Sequence, residues 1–317
     1  MGPDRLDSAP VFLVGCVRSG TTLLRVLLHQ NSHIAFRNES EFLVDHLADD
    51  GTWPERRELL DRLVTDRLFR LSGFTLDEDL PIPDAWHRCM MQWFESKGAS
   101  VLGATVHRHF GRLRHIWPDA RFVHIVRDPR DVARSCIGMG WGGNVWTTSV
   151  YWDRVEREWL ELRNDLDDDR WTEIRYEEML RNPKATLERL CDFLDVPFEQ
   201  SMLAPPEDVP YDAPDPKFAE QWRRKLSPAE ALLVERRSHD LMTSLGYEPS
   251  GPLRPWPGPV EQLRLRIHNR WTMAFRWRRT LGTRLWIELA IARRLGPKRW
   301  RHSVMLRRHE AVNALRK

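Results

Sequence analysis

The stretch VFLVGCVRSGTTLLRVLLHQ, residues 11–30, constrains the fold of this chain most. PVFLVGC is a continuous apolar run, the pattern of a strand buried on both faces of a parallel sheet. GTTLLRVLLHQ then spaces Leu23, Leu24, Leu27 and Leu28 as one face of a helix. Between them, Gly15 and Gly20 stand at the G-x-x-x-x-G spacing of a phosphate loop, and Thr22 takes its Ser/Thr place. Thr21 occupies the lysine position. A loop of this kind binds anions through backbone N–H groups and the helix N-terminus, and neither needs the lysine. Arg18, Ser19, Thr21 and Thr22 add donors. What is lost is the grip on a triphosphate.

The rest of the chain continues the alternation. SVLGATV and ARFVHIV read as further buried strands, and WTEIRYEEML begins as one. Residues 20–30, 53–70, 128–137, 148–165 and 183–194 read as helices, with a short one over RHFGRLRHIWP that proline ends. Strands alternating with helices predict a doubly wound, mostly parallel sheet, with ligands beyond the carboxyl ends of the strands.

A magnesium-binding aspartate is expected after a neighbouring strand in a P-loop nucleotide enzyme. In RFVHIVRDPRDVARS that position holds Arg127. An arginine there suits a second phosphate, gripped as a fork without metal, and Ser135 adds a hydroxyl one helical stretch on. Two anion sites on one nucleotide point to 3′-phosphoadenosine 5′-phosphosulfate as co-substrate, with no metal. The blander alternatives are a tight strand–helix turn capped by threonine, an Arg127 ion pair with Asp128 or Asp131, and a Ser135 bonded to its own helix.

At these residues the chain resembles the sulfotransferase family, nearer to its tyrosylprotein and bacterial branch than to its cytosolic one. RSGTTLLR resembles the family's 5′-phosphosulfate loop and VRDPRDVARS its 3′-phosphate motif. IRYEEMLRNPKATLERLCDFLDVPFE and WRRKLSPAE…LGYEP resemble later family segments, in the expected order over residues 10–250. The resemblance implies an α/β, P-loop-type sheet flanked by helices. It implies sulfuryl transfer to an acceptor hydroxyl or amine, and nucleotide contacts at Tyr176 and Lys217. It also implies a general base. Glu39, in FRNESEFL, falls where the tyrosylprotein branch carries a glutamate base, with Glu41 as the alternative if the register slips. His107 falls where the cytosolic branch carries a histidine. The family's DKTP segment reads ATVH here, so Thr105 replaces its lysine, and His107 or His109 stands near the gap. Arg18 is the cation placed to act on the leaving group. GMGWGGNVWTTSVYW, with Trp141, Trp146 and Trp152, reads as an acceptor-site loop or as a buried Trp cluster. The rival functions are a P-loop small-molecule or nucleotide kinase, which the missing lysine and aspartate oppose, and a catalytically degenerate nucleotide-binding module.

Charge divides the chain at PSGPLRPWPGP. Residues 251–317 hold 17 Lys and Arg against three Asp and Glu, a surplus of +14, so the first 250 residues carry −11 of a whole-chain +3. The expected organisation is a sulfotransferase domain over 1–250 and a basic, aromatic helical extension over 251–317. The extension's aromatic and basic residues suit packing on the acidic body, packing on a second subunit of a homodimer, or peripheral contact with a membrane; nucleic acid is not the expected partner. The acceptor is a small molecule, lipid, glycan or peptide. Four scattered cysteines without metal spacing, a polar start and no run of about 18 apolar residues suggest a cytoplasmic protein, peripherally membrane-associated if the extension meets lipid.

Overall fold

The computed structural model describes residues 9–94, 98–207, 209 and 212–314. The polar start and the end of the basic extension therefore lie partly outside the described residues. Five strands form one sheet: β1 (Val11–Val14), β2 (Ile34–Glu39), β3 (Val101–Val106), β4 (Arg121–Val126) and β5 (Trp171–Arg175). Their order is β2-β3-β1-β4-β5, and every pairing is parallel. The chain is α/β with a parallel sheet covered on both faces, as its apolar strands require.

The two faces follow from the strands' alternation. Phe12, Val14, Phe122 and Val126 point into one core, with Trp86, Trp152 and Trp159; Val11, Leu13, Val123 and Ile125 point into the other. The second face is closed by α1 (Thr21–Leu28), α7 (Tyr176–Arg181) and α8 (Pro183–Leu194). The first is closed by α2 (Arg56–Leu63), α4 (Ile82–Phe94), α5 (Pro129–Met139), α6 (Val145–Asn164) and α10 (Pro228–Ser244). Between these come α3 (Arg67–Ser72) and α9 (Trp222–Lys225), and after them α11 (Pro259–Leu295) and α12 (Lys298–Ala314).

Two expectations need correction. The helix read over 53–70 is two, because the Asp66 carboxylate accepts from the backbone N–H groups of Leu68 and Phe69 at 2.9 Å and starts a new one. RHFGRLRHIWP forms a 3₁₀ turn over Phe110–His115. Glu39 ends β2, an edge strand that its half-polar sequence concealed.

The basic extension is helical and docks on the body. Asn269 Oδ1 accepts from Gly143 N–H at 2.6 Å, Asn144 Nδ2 donates to the Leu265 carbonyl at 2.8 Å, and Arg276 donates to the Ile137 carbonyl at 3.0 Å. Gly282, at φ 73°, ψ 157°, breaks α11 into two helical stretches. Leu281 at the end of the first packs with Leu289 and Ala292 of the second and Val304 of α12 into a small core of its own.

Candidate functional site

The carboxyl end of the sheet gathers one candidate residue from each strand. Arg18 follows β1, Glu39 ends β2, His107 follows β3, Arg127 follows β4 and Tyr176 follows β5. This is the edge where doubly wound sheets bind ligands, around the strand at which the winding changes direction.

The loop after β1 has the backbone an anion site needs. Gly15 and Gly20 both have positive φ, and a Cβ on Gly20 would meet the Tyr176 ring at 2.2 Å. Glycine is therefore required where the loop passes under that ring. Arg18 is held at φ 71°, costly for a residue with a Cβ. Two contacts hold it there: Arg18 Nε donates to Ser135 Oγ at 3.0 Å, and Arg127 donates to the Arg18 carbonyl at 3.1 Å.

Arg127 is buried. Its guanidinium lies 4.2 Å from the Tyr176 ring centroid, donates to the Phe218 carbonyl at 3.2 Å and pairs with Asp131 at 3.5 Å. Asp128 turns away to Arg130, so of the two ion pairs the sequence offered Arg127, only that with Asp131 forms. Its loop is fixed from behind. Trp152 Nε1 donates to the Arg127 carbonyl at 2.8 Å, and the Asp128 N–H donates to Glu177 at 3.0 Å. Arg130, buried 3.7 Å from the Trp222 ring centroid, bridges Asp128 and Glu235. Burial pushes the Glu177 carboxyl and the Tyr247 phenol that donates to it above their ordinary pKa values.

A cavity of about 330 Å³ joins these parts, lined by Arg18, Gly20, Thr21, Thr22, Arg127 and Ser135, with Tyr176 and Arg134 beside them. Arg127 Nε and Arg134 Nε are buried without a hydrogen-bond partner among the described residues, as is Ser19 Oγ in the loop. Buried donors left unmet call for a ligand or solvent, and a phosphorylated nucleotide fits this donor set. Lys217 does not join the cavity: it is exposed and paired with Asp215 at 2.7 Å.

A second cavity, about 920 Å³, adjoins the first and shares Arg18 and Thr22 with it. Glu39, Thr105 and His107 line it, with Met139 and Trp141 opposite. Sheet register explains the grouping. Glu39 pairs with Thr105 beyond a bulge that follows Arg37, and Val14 pairs with Val106, which brings Gly15 beside His107. His107 Nδ1 lies 3.0 Å from the Gly15 carbonyl oxygen. That oxygen only accepts, so Nδ1 carries the hydrogen and a neutral His107 keeps its lone pair on Nε2. Behind it, buried Glu41 accepts from the His107 N–H at 3.2 Å, and burial raises its carboxyl pKa. Glu39 meets Arg67 at 3.8 Å. His109 instead meets Arg154 at 3.2 Å. Trp141 lines the cavity, whereas Trp146 and Trp152 are core residues, so the Trp-rich segment is part cavity wall and part core.

Arg25, Arg37, Arg67 and Arg134 also line the two cavities and escaped the sequence reading. The available signals were spacing: Arg25 is four residues from Thr21 on α1, and Arg134 precedes Ser135 on α5.

A family model described as "Sulfotransferase family" matches residues 10–200. The chain belongs to the sulfotransferase family. Over 206 residues it is 22% identical to Protein-tyrosine sulfotransferase A of Caenorhabditis elegans, covering 61% of this chain and 51% of that one. Over 211 residues it is 24% identical to Protein-tyrosine sulfotransferase 1 of Danio rerio, covering 62% and 56%. The chain thus spans little more than half the length of these relatives. Among solved structures, the sulfotransferase domain from the curacin biosynthetic pathway superposes with a TM-score of 0.56 at 19% identity, over 77% of this chain and 99% of that domain. The sulfotransferase domain of the Synechococcus PCC 7002 olefin synthase superposes at 0.54 and 22%, over 78% and 98%. These two likenesses are of fold, and they extend the sulfotransferase fold beyond the residues that the family model matches.

Proposed function

We propose that this sulfotransferase moves a sulfuryl group from 3′-phosphoadenosine 5′-phosphosulfate to a hydroxyl or amine of an acceptor held in the larger cavity. One observation carries the reading: Arg18 and Thr22 line both cavities, so the nucleotide's anionic end and the acceptor meet at shared residues. The donor supplies the sulfuryl group, and its 5′-phosphate leaves with the bonding electron pair. The loop from Gly15 to Thr22, with the N-terminus of α1, holds that phosphate. Arg127, Ser135 and Tyr176 hold the 3′-phosphate end. Arg18 sits at the junction and offsets the charge that develops there, the kind of preorganised contact that contributes most in a water-poor site. Glu39 takes the acceptor proton; His107, with its lone pair on Nε2, is the second group able to do so. Lys217 has no role in this scheme.

The larger cavity carries Arg18, Arg25, Arg37 and Arg67 against the single carboxylate of Glu39. Such a field favours an acceptor with an anionic group beside its reacting hydroxyl, whether peptide, glycan, lipid or small molecule. Calorimetry with adenosine 3′,5′-bisphosphate in EDTA tests the donor site, and mass spectrometry of an acceptor panel tests the product. Tighter binding of ATP, and only with Mg²⁺, would overturn the reading in favour of a kinase.

A further inference from the structure

The first stretch of α11 has two opposed faces, and only one meets the protein body among the described residues. Leu265, Asn269 and Arg276, spaced four and seven residues apart, share one side of the helix and meet the body at Trp146, Gly143 and Ile137. Val260, Leu263, Ile267, Trp271 and Phe275 lie on the opposite side, all exposed, Trp271 by 74% and Phe275 by 65%. Past the Gly282 break, Ile287, Ile291 and Leu295 continue an exposed apolar row. Exposed apolar residues scattered singly mean little, but an ordered stripe of this length marks a contact surface.

Charge selects what covers it. Residues 259–281 hold six arginines and one acid, Glu261, whose carboxylate pairs with Arg254 at 2.9 Å. Arg264, Arg270 and Arg278 are exposed beside or within the stripe. A second copy pairing stripe to stripe would set these guanidinium groups against their own counterparts. A bilayer surface would take the aromatic rings at headgroup depth while the arginine stems reach out to lipid phosphates. No helix among the described residues is long and apolar enough to cross a membrane, so the contact is superficial.

We propose that the outward face of α11 is a docking surface for an anionic lipid bilayer. The inference does not depend on the reaction proposed above. Because α11 is clamped to the segment that carries Met139 and Trp141, docking brings the larger cavity close to the lipid surface.

Flotation of the full chain with phosphatidylcholine vesicles, with and without phosphatidylserine, tests it. The chain is expected to float with the anionic vesicles only, and added salt is expected to release it. Trp271→Ser and Phe275→Ser each remove an exposed side chain, so the fold is spared; each is expected to weaken partition about tenfold. Arg264→Gln and Arg278→Gln are each expected to weaken it about fivefold. Failure to float with either vesicle overturns the proposal, as does equal binding to neutral vesicles. Unchanged binding by the Trp271 and Phe275 variants overturns it too. A dimer in light scattering that those two variants dissociate would assign the face to a second copy instead.

Discussion

Arg18 Nε donates to Ser135 Oγ at 3.0 Å, joining the loop after β1 to the helix after β4 across 117 residues of chain. With the Arg127 bond to the Arg18 carbonyl, this makes the two motifs one unit. Ser135→Ala is expected to weaken adenosine 3′,5′-bisphosphate about tenfold, since hydrogen bonds to charged groups are worth ~1.5–3 kcal/mol. Arg127→Ala is expected to cost more for the 3′,5′-bisphosphate than for the 5′-monophosphate in calorimetry. Equal losses would remove Arg127 from the 3′-phosphate site.

Glu39 and Thr105 are register partners at the ends of β2 and β3, and both line the larger cavity. Glu39→Gln keeps the shape and removes the carboxylate proposed as the base. Turnover is expected to fall by ~10²–10⁴ while the nucleotide Kd stays nearly unchanged. A parallel assay of His107→Ala separates the candidates. An active Glu39→Gln beside a dead His107→Ala would move the base to His107.

Gly20 is at φ 98° with the Tyr176 ring where a Cβ would go. Gly20→Ala is therefore expected to cost on the order of 1–3 kcal/mol and to weaken the nucleotide. Gly73→Ala is the control: φ is 71°, but no atom lies within 4 Å of its added Cβ. Chemical denaturation of the two variants should rank Gly20→Ala as clearly worse; equal midpoints would show that the Tyr176 contact gives way.

His124 is buried on β4 between Glu156 and Glu173, each 3.0 Å away, and stacks on Trp159 at 4.4 Å. Burial alone would lower its pKa, but the two carboxylates raise it to about 9. The folded-state value lies above the unfolded one, ~6.5. The ion cluster's contribution is thus complete below about pH 6.5 and is lost as pH rises through about 9. Thermal unfolding from pH 6 to 10 is expected to show Tm falling over that upper window. The double variant His124→Leu/Glu156→Leu removes the buried pair and should flatten the fall. An equally steep decline in the double variant would exclude His124 as its source.

Truncation after Ser250 removes Leu265, Asn269 and Arg276 from the segment between Ile137 and Gly143. The expected result is a lower Tm, by ~2–4 °C for each kcal/mol lost, and faster hydrogen exchange at Gly138 and Gly143. Full stability without residues 251–317 would instead establish them as an independent appendage.

Much of the fold was legible because its signals are local. The apolar run before Gly15, the leucine spacing after Gly20, and Pro129 at the first turn after Arg127 each specify an element within a dozen residues. The meeting of the loop and the strand-end arginine was legible too, since Thr21 and Arg127 stand at fixed spacing after strands, and both line one cavity. β2 was not, because Ile34–Glu39 is half polar and at the sheet edge, where one side needs no partner.

The sequence by itself determined a parallel α/β sheet, two loop motifs at its carboxyl end, and a cationic, aromatic extension. Only the tertiary structure decided how these parts meet. Register across β2 and β3, with its bulge after Arg37, sets Glu39 beside Thr105. Local pairing with Asp215 holds Lys217 outside the cavity its sequence position suggested. The docking of Asn269 and Arg276 decides which face of α11 is buried and which is left to the outside. The physical reason is the range of the forces: hydrophobic period and capping act within a few residues, whereas cavity walls and docked faces depend on side chains brought together from distant parts of the chain.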